Sequence, residues 1–153
     1  MRRTLFPATL PFDRPPARLD QLEARGRTPF YVLAWRIPFM DLALFPREYR
    51  GIGEWYNNEW YATKQKHGIK QQLREPYVQD RVRPGDKDDD VIYFIIATNR
   101  RKSDLTPDSL DIHVAKEPLL DVYEPMDNPD VQLGDPIWYR VGSFEDQVLS
   151  TTA

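Results

Sequence analysis

Two histidines, His67 and His113, and the carboxylate of Asp111 are the side chains of this chain best suited to move a proton near neutral pH. Asp111 and His113 stand two residues apart in Leu110-Asp111-Ile112-His113-Val114-Ala115-Lys116, where apolar and polar residues alternate. Read as a strand, that alternation puts both groups on one side, where the carboxylate would orient or charge the imidazole as a general base. The same alternation gives Leu110, Ile112 and Val114 the stronger claim on the core, so Asp111 and His113 are expected on an exposed sheet face. His67 ends an apolar helical stripe and is expected to be partly buried, its loss costing packing, whereas His113→Ala should change little.

Other patterns with chemical meaning are weaker. Asp86, Asp88 and Asp90 open like a calcium loop, but Val91 stands where its sixth position needs Gly and Ala97 where its twelfth needs Glu. Gly51-Ile52-Gly53 precedes a helical stretch without the further glycines or the Lys-Ser/Thr of a phosphate loop. With no cysteine in the chain, thiol catalysis and thiolate metal sites are excluded. No cofactor and no metal are expected.

Binding chemistry is better represented. Trp55-Tyr56-Asn57-Asn58-Glu59-Trp60-Tyr61 is the densest aromatic stretch, and adjacent residues on a helix point in different directions. All four rings therefore cannot share one buried face. Trp55 and Tyr61 are the expected partner contacts from this stretch, joined by Phe6 and Phe12 from the N-terminal segment, because large amphiphilic rings dominate interface energies. Lys64, Lys66 and Lys70 follow the aromatic stretch, and Arg100, Arg101 and Lys102 follow the strongest apolar run. Both groups are candidates for an anion or a single-stranded nucleic acid, although a net charge of -3 argues against broad electrostatic attraction to nucleic acid.

These residues need elements to position them. Val91-Ile92-Tyr93-Phe94-Ile95-Ile96-Ala97-Thr98 carries no charge and is rich in β-branched and aromatic residues, the signature of a buried strand. Phe30 to Ile37 is mostly apolar at both parities, Arg36 alone breaking the pattern, and is expected to sit centrally with it, both faces covered. Glu54 to His67 reads as a helix, with Tyr49, Ile52, Tyr56, Trp60, Thr63 and His67 on one stripe. Ala17 to Arg25 reads as a short helix, Tyr77 to Val82 as an edge strand, and Leu110 to Lys116, Leu119 to Tyr123 and Ile137 to Val141 as further strands.

The chain has 153 residues, enough for one domain with its own core. Fourteen prolines against seven glycines imply stiff, extended connections. Four of those prolines fall in residues 1–16, an extended Pro-rich arm; residues 17–142 form one α+β domain and residues 143–153 a tail. The expected architecture is a curved, mostly antiparallel sheet, open or closed into part of a barrel, packed against one aromatic-rich helix. Phe6-Pro7 and Pro11 interrupt the segment where a signal peptide needs an unbroken apolar run, and no run approaches a membrane span, so a soluble intracellular protein or a virion component is expected, without membrane contact.

Three functions fit this pattern. The first is a non-catalytic protein-binding or assembly module, with a protein partner or a second copy of itself, serving in a larger particle. The second is a small acid/base enzyme without cofactor, or a ligand-binding protein with an aromatic pocket. The third is a module binding single-stranded nucleic acid.

Overall fold

The computed structural model describes residues 6–19, 22–23, 26–45, 47–67, 77–78, 91–100, 112–126 and 128–141. Its elements run β1 (Thr9–Leu10), β2 (Leu22–Glu23), β3 (Gly26–Arg27), β4 (Tyr31–Pro38), a 3-10 turn (Phe39–Asp41), α1 (Ile52–Trp55), a π turn (Tyr56–Trp60), α2 (Tyr61–His67), β5 (Tyr77–Val78), β6 (Val91–Thr98), α3 (Ile112–Val122) and β7 (Ile137–Arg140). The class is α+β.

Five of the strands form one antiparallel sheet in the order β1-β7-β4-β6-β5. It is open. Two-residue strands, β1 and β5, stand at its edges and do not meet, so the sheet does not close into part of a barrel. The two long, mostly apolar runs, β4 and β6, pair along nearly their whole length, because strands apolar at most positions of both faces are stable only where both faces are covered; Arg36 of β4 and Thr98 of β6 are the half-buried polar exceptions. On one face Tyr31, Leu33, Trp35, Ile37, Ile92, Phe94 and Trp138 join the helices in the larger core cluster; on the other, Val32, Ala34, Val91, Tyr93, Ile95 and Tyr139 form a second buried cluster.

A register shift between Leu33 and Ala34 inserts Ile96 as an extra residue in β6, so that Leu33 pairs with Ala97 and Ala34 with Ile95. Such a bulge resets which side chains face which side. Here it turns Ala97 onto the face of Phe94 and Ile96. It also moves the pairing along by one, so that Asn99, rather than Thr98, stands opposite Tyr31.

Two expectations are corrected. Over Ile112–Val122 the stretches read as strands at 110–116 and 119–123 form one helix, α3, which carries Pro118 in its interior, and Tyr123 just beyond it bridges Leu42. Ala115, Pro118, Leu119 and Val122 recur at helical spacing and are its buried face. That burial outweighs both the local alternation and the roughly 3 kcal/mol an internal proline costs. The short helix expected over 17–25 is also absent at its described positions, where β2 and β3 pair as a small hairpin, Leu22 with Arg27 and Glu23 with Gly26. A nine-residue helix with two apolar anchors has too little to offset nucleation.

The helical segment from Ile52 to His67 is not uniform. The Tyr61 amide donates to the Tyr56 carbonyl, five residues back, within the π turn. On a regular helix positions 55 and 60 lie about 140° apart, whereas the wider turn closed from Tyr56 to Tyr61 brings them nearer to a common face. Trp55 and Trp60 are accordingly both fully buried. Trp60 meets Phe94 of β6 edge to face with ring centroids 4.9 Å apart, and the Trp55 indole donates to the Ala43 carbonyl at 2.8 Å.

Candidate functional site

The described part of the N-terminal segment lies on the edge of β7. Thr9 pairs with Tyr139 and Leu10 with Trp138. Just before them, three successive backbone carbonyls are each taken by a donor from the body of the protein. The Arg140 guanidinium donates to the Phe6 carbonyl through its Nη1, the Tyr31 hydroxyl to the Pro7 carbonyl at 2.7 Å, and the Arg140 amide to the Ala8 carbonyl at 2.9 Å. The Phe6 ring is buried in the larger core cluster and Phe12 packs half-buried against it.

Both donors are placed by the sheet. Tyr31 opens β4 and pairs with Arg140 at the end of β7, so the two side chains rise from neighbouring strands. Burial pushes the Tyr31 phenol up to about 12, against the opposing pull of the Arg140 charge. Tyr31 is therefore a neutral donor at any ordinary pH. Arg140 is only 6% exposed, has no ion-pair partner among the described residues, and leaves its Nε unpaired. A buried cation without a carboxylate is costly, and the arm's carbonyl supplies the one hydrogen bond its side chain makes to a described residue.

Behind this site Asn99 is fully buried and fixes where the arm joins the body. Its side-chain amide donates to the carbonyls of Ala17 at 3.0 Å and Pro29 at 2.9 Å, its Oδ1 accepts from the Tyr31 amide at 2.9 Å, and its own carbonyl accepts from the Leu19 amide at 2.7 Å. From Ala17 onward the chain is thus tied to the β4–β6 end.

The residues read from sequence fall elsewhere. His113 is exposed on α3, and Asp111 lies outside the described residues, so the expected pair on a strand face is replaced by a solvent-facing imidazole on a helix. His67 does meet a carboxylate, but that of Asp121, with Nε2 and Oδ2 2.7 Å apart; Lys66 donates to the same oxygen at 3.0 Å. Hydrogen bonds from His67 and Lys66 hold the Asp121 carboxyl below its usual range. The three groups tie the end of α2 to α3 at the surface. Trp55 is corrected as a partner contact, since it is 0% exposed, whereas Tyr61 is 55% exposed.

The cations are engaged within the chain where they are described. Lys64 lies 5.8 Å over the Tyr56 ring, Lys66 bonds Asp121, and Arg100 lies 4.5 Å over Phe30. Lys70, Arg101 and Lys102 lie outside the described residues. Among the described residues no three His, Cys, Asp or Glu side chains gather where a metal ion could bind, and no helix is long and apolar enough to cross a membrane.

Tyr31, Asn99, Asp121 and Arg140 were not singled out from sequence. Arg140 carried the only usable signal, a cation on the same parity as Trp138 in an otherwise apolar strand.

No protein-family model, no curated protein and no solved structure matches this chain.

Proposed function

We propose that this protein is a non-catalytic protein-binding module of the assembly type, a subunit of a larger particle, and that its contact is made by adding an extended segment to the β7 edge. The observation that carries this reading is the capture of three successive carbonyls, those of Phe6, Pro7 and Ala8, by Arg140 and Tyr31. A site that grips main chain along a strand edge covered only by a two-residue strand has the components of strand-addition recognition, in which backbone bonds give affinity and a pocket for one ring gives selectivity. Phe6 is that ring. The acid/base alternative has the His67–Asp121 contact in its favour, yet Lys66 shares the same carboxylate oxygen, which suits a surface latch between helices better than a poised base.

The test uses the full chain carrying Leu10→Pro, because a proline cannot donate to a strand ladder and should unseat the arm. A fluorescent peptide of residues 6–16 is expected to bind this variant by anisotropy and to bind the unaltered chain much more weakly, its own arm being in place. Absence of binding to the variant at millimolar peptide would remove the reading.

A further inference from the structure

Resting on that reading, we infer that the segment filling the β7 edge is exchanged between two copies of this chain, residues 6–10 of each lying on Trp138–Arg140 of the other.

Three features of the molecule support a second copy as the occupant. The first is that the carbonyls of Phe6, Pro7 and Ala8 are all taken by donors on the body, Thr9 and Leu10 pair with β7 through main chain, and the Phe6 ring is the apolar anchor. An identical arm from another copy reproduces all of them in the same register. Exchange therefore sacrifices no contact at the site, and the balance between the two forms falls to the connection and to concentration.

The second is the connection. Pro11-Phe12-Asp13-Arg14-Pro15-Pro16 joins the arm to the body, and Pro11, Pro15 and Pro16 fix their own backbone while biasing Leu10, Arg14 and Pro15 toward extended geometry. Reversal of direction is left to Phe12 and Asp13, inside the turn closed by the Arg14 amide on the Pro11 carbonyl at 3.0 Å. Opening that one turn straightens the connection to about 20 Å, taking roughly 3.3 Å per residue for its six residues. Asp13 and Arg14 are exposed, so little is uncovered when the turn opens.

The third is the sharp boundary. Ala17 and Leu19 are held by Asn99, so the movable unit ends at Pro16 and the core, including both long strands, stays in place. Phe12 travels with the arm and reseats on the partner.

The experiment uses the unaltered full chain. Native mass spectrometry from micromolar to millimolar concentration is expected to show growth of a species at twice 18.0 kDa. In an equimolar mixture of isotope-labelled and unlabelled chains, unfolded and refolded together, isotope-filtered nuclear Overhauser spectra should show cross-peaks between Ala8–Leu10 of one copy and Trp138–Arg140 of the other. A monomer throughout, or a dimer whose arm cross-peaks are all within one copy, overturns the exchange. Either result leaves the peptide-binding outcome of Leu10→Pro to be judged by itself, so failure of the exchange and failure of the strand-addition reading are separable.

Discussion

Asn99 and Tyr31 face each other just beyond the last pair of the β4–β6 ladder and bond in both directions, the Asn99 amide to the Tyr31 carbonyl at 3.1 Å and the Tyr31 amide to the Asn99 Oδ1 at 2.9 Å. The Ile96 bulge creates this meeting, and the two hydrogens of the Asn99 side-chain Nδ2 then fasten the carbonyls of Ala17 and Pro29. One side chain thus joins the start of β4, the end of β6 and the point where the N-terminal arm enters the body.

Asn99→Ala should consequently be among the most damaging single substitutions. It strips partners from the Tyr31 amide and the carbonyls of Ala17 and Pro29, and each buried group left unsatisfied costs about 1–3 kcal/mol. A loss of about 3–5 kcal/mol is expected in urea unfolding. Asn99→Asp should be at least as harmful at neutral pH, because it puts a charge against two carbonyls, and should recover in part on acidification. A loss below about 1 kcal/mol for Asn99→Ala would show that the hub is not a source of stability.

Trp55 and Tyr61 separate in the same way by burial. Removing the Trp55 ring leaves a cavity in the core and orphans the Ala43 carbonyl, so Trp55→Ala should cost about 3–5 kcal/mol. Tyr61→Ala should stay within about 0.5 kcal/mol. Equal effects from the two, read by thermal unfolding, would contradict the burial of Trp55 and the exposure of Tyr61.

How much of this was legible depends on where the information lies. Strands 31–38 and 91–98 announce themselves, because long runs apolar at nearly every position and bounded by proline or charge leave few alternatives. Trp55 was misplaced because a wheel turned at 100° per residue does not contain a π turn. Asp121 was invisible while residues 119–123 read as a strand, since its partners become neighbours only once α3 is a helix lying against α2. The arm's site left the least trace. Three backbone carbonyls carry no side-chain signature, and the donors that take them, Tyr31 and Arg140, lie 109 positions apart in the chain.

Alkaline pH should expose Tyr31. With its phenol raised to about 12 in the folded protein and near 10 when unfolded, the folded state holds a proton that the unfolded state has lost over that interval. Stability then falls as pH rises from about 10 to about 12, by roughly 2–3 kcal/mol in total. Tyr49, raised to about 12 chiefly by its hydrogen bond to Glu59, acts in the same direction. Tyr31→Phe should flatten part of this alkaline limb while lowering stability at neutral pH through the lost bond to Pro7; an unchanged slope would remove Tyr31 as its source.

Acid should act instead on the contact between the helices. Asp121 accepts from Lys66 and meets His67, both in the last turn of α2, where cations also complement the helix dipole. These hydrogen bonds lower the Asp121 carboxyl. A depressed carboxyl contributes stability that is fully present above its unfolded value, near 3.9, and is lost as pH falls through the lower folded value. The difference between the unaltered chain and Asp121→Asn should therefore hold steady above about pH 5 and shrink below about pH 4. Its size should be modest, below about 1 kcal/mol, because the Asp121 side chain is 33% exposed and water screens the contact. Urea unfolding at a series of acid pH values measures it. A difference that persists unchanged into strong acid would mean that Asp121 acts through its shape rather than its charge, and that the His67–Lys66–Asp121 contact does not fasten α2 to α3.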